Sequence, residues 1–342
     1  MMRRTLTALV AAALAWSAAP LAGANDSTAE LAAGGLQMTK SPEIEMRSED
    51  LYISAKQVRV RYRFANTSTH DVTVLVAFPM PDITTEGVDD MISIPIQAPG
   101  NILGFRTTVD GKPVVAQVEQ KVVKDGVDRT AYLQHLGIPL APHLASTNQF
   151  LDRLPQATRD ELVRLNLAAI NEFDSGKGWE KHWEAAWTLK TTYFWRQTFP
   201  AGREINVEHR YTPSVGQSAG TSWGSSYFAH EADYAQRRDH YCIDDAFLAA
   251  VNRSKQPGDE SAPLTEERIE YILTTGANWK APIGDFHMVV DKGEAANLVS
   301  FCGEGVRKIS PTQFEIRHAN YTPTRDVSIL ILKPMPASWR PR

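Results

Sequence analysis

The 342-residue sequence is short of cysteine, of excess positive charge and of long apolar runs. Only two cysteines occur, Cys242 and Cys302. Their wide separation is unlike C-x-x-C, which argues against a redox or metal thiol pair. Lys and Arg number 36 against 40 Asp and Glu, a formal charge of -4. A nucleic-acid binder needs the opposite balance. Beyond residue 24 no apolar run reaches the ~18 residues of a membrane-spanning helix. G-x-S-x-G, the phosphate-binding P-loop and G-x-G-x-x-G are missing too, so no nucleophile elbow or nucleotide cradle can be named. What remains is of average make-up, 43% hydrophobic and 22% charged. That excludes a disordered or fibrous chain.

The first segment reads as an address. Arg3 and Arg4 precede an Ala/Leu-rich apolar run over 6–19, and Ala22-Gly23-Ala24 has the small-x-small form of a leader cleavage site. A signal peptide over 1–24 and a mature start at Asn25 are expected. Leu6, Thr7 and Ala8 do not fit a twin-arginine signal. Without its leader the chain has 34 basic residues against 40 acidic, a net charge of -6. Outside the cytoplasm, in the periplasm or beyond, a lone pair of cysteines is most simply one disulfide. Cys242–Cys302 would close a loop of about 60 residues, with a chain-entropy contribution of roughly 4 kcal/mol.

Period-two alternation then dominates. Val58, Val60, Tyr62 and Phe64 share one face and Arg59, Arg61 and Arg63 the other. This is the mark of a strand with one buried and one wet side. Val72, Val74, Val76 and Phe78 continue it, and Asp110-Gly111 marks a hairpin. Residues 128–178 break the pattern. Leu162, Leu165, Ala169 and Phe173 have helical spacing behind Pro155, predicting a helix over 156–173. Strand character returns over 187–199 and 204–211. A Gly/Ser-rich stretch, 215–226, predicts a loop or linker. A short helix near 243–252 and five strands between 269 and 332 follow. The expected fold is therefore mainly β: an antiparallel β-sandwich over 25–214 with a helical insertion at about 128–178. A smaller, disulfide-stapled, β-rich domain over 227–342 completes it.

Several stretches resemble a bacterial secreted family, the domain-of-unknown-function family 4424. They are residues 25–36, beginning Asn25-Asp26-Ser27-Thr28; residues 44–54, Ile44-Glu45-Met46-Arg47 through Ser54; Phe199-Pro200-Ala201-Gly202 with 209–216; and Asn278-Trp279-Lys280-Ala281-Pro282-Ile283. The resemblance spans nearly the whole mature chain. It implies an envelope or secreted protein with a β-rich fold, and it brings no activity or catalytic residue. The strand order around 58–112 is also similar to the vault–inter-alpha-trypsin domain, a likeness of topology alone.

Three constellations invite a chemical reading. Arg59, Arg61 and Arg63 could hold an anion, or simply pair with acids such as Glu43 and Glu45 on a neighbouring strand. Trp179, Trp183 and Trp187, four apart, form either an exposed stacking surface or a core seam. The richest stretch runs from Tyr227 through His230, Glu231, Asp233 and Tyr234 to His240. It is not H-E-x-x-H, so no metal is assigned, and no cofactor is expected. Those six residues are the expected binding surface, since loops at the end of a rigid sandwich are the usual contact points. The expected function is an exported, non-catalytic binding module for an envelope component or a protein. The alternative is an exported hydrolase of cell-wall or surface glycans, with metal assistance.

Overall fold

Val58, Val60, Tyr62 and Phe64 all turn inward from the strand Gln57–Asn66, and Arg61 and Arg63 face solvent. The same rule repeats along Thr188–Phe199 and Glu204–Tyr211. Half-buried strands of this kind must stack on one another to hide their apolar faces. The computed structural model describes residues 25–32, 35–85 and 91–336. The expected leader lies outside them.

The fold is mainly β. One sheet of seven strands runs in the order Val127–Asp128, Gln117–Lys124, Thr188–Phe199, Val72–Pro79, Ser27–Ala32, Gly35–Thr39, with Ile83–Thr84 also on Thr188–Phe199. An eight-stranded sheet runs Arg307–Lys308, Gln313–Tyr321, Ile283–Asp291, Ile44–Ser54, Gln57–Asn66, Glu204–Tyr211, Arg106–Val109, Lys112–Val114. A five-stranded sheet runs Leu298–Phe301, Val327–Pro334, Leu264–Tyr271, Val215–Ser218, Met91–Ser93. All three supply side chains to one core, from Met46, Phe64 and Phe78 to Tyr193, Ile269 and Ile331.

Pairing is antiparallel except where Ile283–Asp291 lies parallel to Ile44–Ser54. Two hairpins have paired left-handed residues at their tips, Asp110-Gly111 and Asp125-Gly126. Their backbone twist suits that of the flanking strands. The stretch 215–226, expected as a loop or linker, begins with the strand Val215–Ser218. It pairs with Met91–Ser93 on one side and Leu264–Tyr271 on the other. Sheets and core thus run across residues 215–226.

The helix expected over 156–173 is a correction. It spans only Gln156–Arg164. Asn166, in the left-handed region, turns the chain, and Ala168–Asp174 pairs as a strand with Trp179–Ala185. Ala169 and Phe173, four apart, suit either a helix face or a strand face, and the cross-strand partner decides between them. Three short helices, Thr130–His135, Ala145–Arg153 and Gln156–Arg164, pack with this hairpin on a second core. Leu133, Leu151, Leu162, Trp183 and Trp187 form it. The tryptophan stripe therefore lies on and beyond a strand: Trp183 and Trp187 are core, and Trp179 is 78% exposed. A third core, around Trp223, Phe228, Phe247 and Leu330, joins the segment 223–253 to the five-stranded sheet.

Candidate functional site

The expected binding segment folds as a single 3-10 turn, Phe228–His230, followed by the helix Tyr234–His240. Phe228 anchors it. Its ring lies 5.1 Å from Trp223 and 5.3 Å from Tyr234, edge to face, and the Arg237 guanidinium covers it at 4.7 Å. Burying those rings leaves the polar residues outside. Tyr227 is 79% exposed, and His230, Glu231 and Asp233 face solvent. His230 Nδ1 lies 2.7 Å from Ser226 O, whereas His240 Nε2 lies 3.2 Å from Glu270 Oε1. The Glu270 carboxylate raises the His240 pKa. The two histidines therefore serve different partners. Among the described residues no three His, Cys, Asp or Glu are grouped to hold a metal ion.

Immediately after His240 the chain enters the disulfide Cys242–Cys302, with a Cα–Cα distance of 5.0 Å. It borders a cleft of about 510 Å³. Met288, Ile316 and Val327 give the cleft an apolar floor. Along one side Phe286, Tyr321 and His318 stack in succession, with centroids 4.6 and 5.2 Å apart. This ladder of rings runs from the core out to the cleft. Opposite charge is at hand too. Arg325, half exposed, donates from Nη2 to Asp239 O at 3.1 Å. Asp326 is committed to structure: its Oδ1 accepts from Leu273 N, Thr274 N and Thr274 Oγ1. Sequence reading missed His318, Tyr321 and Arg325. All three fall in the one stretch 318–325, but only strand pairing with Ile283–Asp291 lays that stretch against Phe286 and beside Cys242–Cys302.

Two members of the arginine stripe, Arg61 and Arg63, are answered by acids other than Glu43 and Glu45, and Arg59 lies over the Tyr52 ring. The register sets Asp50 and Glu208 on either side of Arg61, and Arg61 Nε lies 2.6 Å from Glu208 Oε2. Arg63 reaches toward Glu204. Glu45 stands opposite Ala65.

A second group of polar residues is buried in the main core. Asn25, Asp26, Glu49 and His209 are fully buried. His209 Nε2 lies 2.9 Å from Asp26 Oδ1, and Trp279 Nε1 donates to Asp26 O at 2.7 Å. Asn25 Nδ2 donates to Glu49 Oε2 at 3.0 Å, and Tyr62 Oη donates to Asn25 Oδ1. Tyr271 Oη reaches Glu49 Oε1 at 3.5 Å. Burial pushes the Glu49 carboxyl up to about 8. It pushes Asp26 up as well, against the pull of His209. The arrangement can store or share protons, but it is closed to solvent.

Glu49 faces the core because of a β-bulge. The register with Gln57–Asn66 slips between Met46 and Ser48. Ile44 and Met46 are inward before the slip, and Leu51 and Ile53 after it. That change of phase was visible in the sequence. It puts Glu49 on the parity of Leu51 and Ile53. His209 likewise shares the parity of Ile205, Val207 and Tyr211 in Glu204–Tyr211; nothing comparable flagged Asp26.

The four stretches that carry the family resemblance meet here: Asn25 and Asp26 from the first, Glu49 from the second, His209 from the third and Trp279 from the fourth. No curated protein matches the sequence. A crystal structure of a candidate nutrient binding protein from Legionella pneumophila subsp. pneumophila str. Philadelphia 1 is similar at 16% identity and a TM-score of 0.41. The match covers 90% of this chain and 70% of that one. The model of the family "Domain of unknown function (DUF4424)" matches residues 24–330, nearly the whole length, and the chain belongs to that family.

Proposed function

We propose that the protein is an exported, non-catalytic binding protein, periplasmic or secreted, that takes its ligand in the cleft beside Cys242–Cys302. One observation carries this reading. The cleft joins an apolar floor, a stacked pair of accessible rings, His318 and Tyr321, and the guanidinium of Arg325. Such a lining suits a ligand with a flat or apolar body and an anionic group, as a small organic acid or an acidic envelope saccharide has. A concave site that joins apolar walls to placed polar groups is the usual form of a ligand pocket. Export is supported by the leader-like start and by the disulfide, a bond that persists in oxidising compartments. Among the described residues no helix is long and apolar enough to cross a membrane. The exposed face of Tyr227, His230, Glu231 and Asp233, with half-buried Tyr234 packed beneath it on Phe228, adjoins this region through His240. It serves as the contact for a larger partner.

Mass spectrometry of the protein taken gently from the native envelope would identify a retained ligand. Calorimetry with that compound then tests the site. Arg325→Ala is expected to weaken binding tenfold or more, about 1.4 kcal/mol or above, and to leave thermal stability unchanged. Undiminished affinity in that variant sinks the cleft reading. Steady conversion of the bound compound into product would replace the binding protein with the hydrolase alternative.

A further inference from the structure

The buried cluster holds two carboxyl groups and one imidazole. Asp26 has His209. Glu49 has only neutral donors, the Asn25 amide and the Tyr271 phenol. Tyr62, and more distantly Tyr321, are the remaining titratable groups beside it. Asp26 Oδ2 is also buried, and no donor reaches it among the described residues. A buried carboxylate without a cation is strongly disfavoured. An ionised Glu49 would therefore have no cation beside it among the described residues, and Asp26 Oδ2 has no donor.

The backbone of Asn25 sits among these groups. Its N donates to Thr275 Oγ1 at 2.7 Å, and the same hydroxyl donates back to Asn25 O at 2.8 Å. The 3-10 turn Thr274–Asn278 closes tightly on it. A Cβ at Gly276 would lie 2.6 Å from Asn25 Nδ2, so any larger residue would force the clamp open. Asn25 is also the residue expected to begin the chain once the leader is cut.

We propose that Glu49, Asp26 and Thr275 form a receptor for the α-ammonium group that leader removal creates at Asn25. A leader peptidase directs water onto the Ala24–Asn25 peptide bond. The C–N bond breaks, Ala24 leaves as a carboxylate, and Asn25 N becomes –NH3+. One N–H stays with Thr275 Oγ1. Two more become available to Asp26 Oδ2 and Glu49, and the new charge offsets that of an ionised Glu49. Processing thereby completes the core, fastening the chain just ahead of Ser27–Ala32 to the turn Thr274–Asn278. This inference rests on the export reading and is independent of what the cleft binds.

Thermal unfolding of the exported, processed protein is compared with that of a form retaining Ala24, each with and without Glu49→Gln. The extra residue is expected to lower the Tm by several degrees, and Glu49→Gln to remove most of that difference, as coupled groups do. Equal midpoints for the two parent forms overturn the proposal, as does a difference that Glu49→Gln leaves intact. Should the extended form not fold, amine chemistry on the processed protein decides. Reductive methylation of the Asn25 amine is expected to be at least about 100-fold slower in the native state than in urea, as for a group reached only by opening. Equal rates defeat the proposal. N-terminal sequencing separates the two levels. An intact Met1 defeats export itself, whereas an exported chain beginning elsewhere than Asn25 defeats only this inference.

Discussion

The segment 227–240 and the cluster around Asp26 and Glu49 hold similar side chains in opposite settings. The first gathers two histidines, a glutamate and aspartates within a short stretch, and most of them face water with one partner or none. The second draws single residues from positions as far apart as 25 and 275, and nearly every one has a short, buried hydrogen bond. Density along the chain and density in space are different properties. A water-facing charge is cheap and loosely held. A buried one has to be matched, so its surroundings are far more constrained.

Three experiments sharpen or break this contrast. The largest effect is expected at His209. His209→Gln keeps a polar side chain but removes the imidazole that Asp26 Oδ1 pairs with. Breaking a buried pair from one side costs about 3–5 kcal/mol. Urea unfolding of the variant measures it, and a loss below about 1 kcal/mol would place this pair with ordinary surface contacts.

Next comes Glu49. Its pKa in the fold, about 8, lies above the ordinary 4.5, so the neutral carboxyl is the form the fold favours. The resulting stability is fully present below the ordinary pKa. It declines as the pH climbs toward the folded value, by a few kcal/mol at about 1.4 per unit. This slope is expected in protein that retains residues ahead of Asn25, and it should be shallower in processed protein. Glu49→Gln should flatten it, and urea midpoints between pH 5 and 9 would record the change. A slope that survives the substitution assigns it to another group.

The smallest effect belongs to the exposed segment. The triple replacement of His230, Glu231 and Asp233 by alanine is expected to shift stability by no more than about 0.5 kcal/mol, and to weaken capture of a larger partner. Unchanged capture in a crosslinking pull-down removes those residues from the binding face. A large loss of stability would erase the contrast between the two regions.

Much of the fold was legible because one strand face is wet and the other dry. Glu204–Tyr211 and Leu298–Phe301 begin and end where the alternation predicts. The helix before Asn166 was overextended because Ala169 and Phe173, four apart, fit one face of a strand as well as one face of a helix. The cleft was not legible at all. Its rings and its guanidinium lie in segments held beside the disulfide by strand pairing, and no local pattern reports that.

By itself the sequence determined the β character, through alternation that only a half-buried strand satisfies, and the pairing of its two cysteines, because there was no other choice. Tertiary structure alone decided which polar residues would be buried together. The parallel pairing of Ile283–Asp291 with Ile44–Ser54 and the slip before Ser48 bring the turn at Thr275 and the carboxyl of Glu49 to Asn25. Such convergence depends on contacts more than 200 residues apart. Local sequence encodes the faces of strands, and the partner of each face is fixed only when the whole core closes.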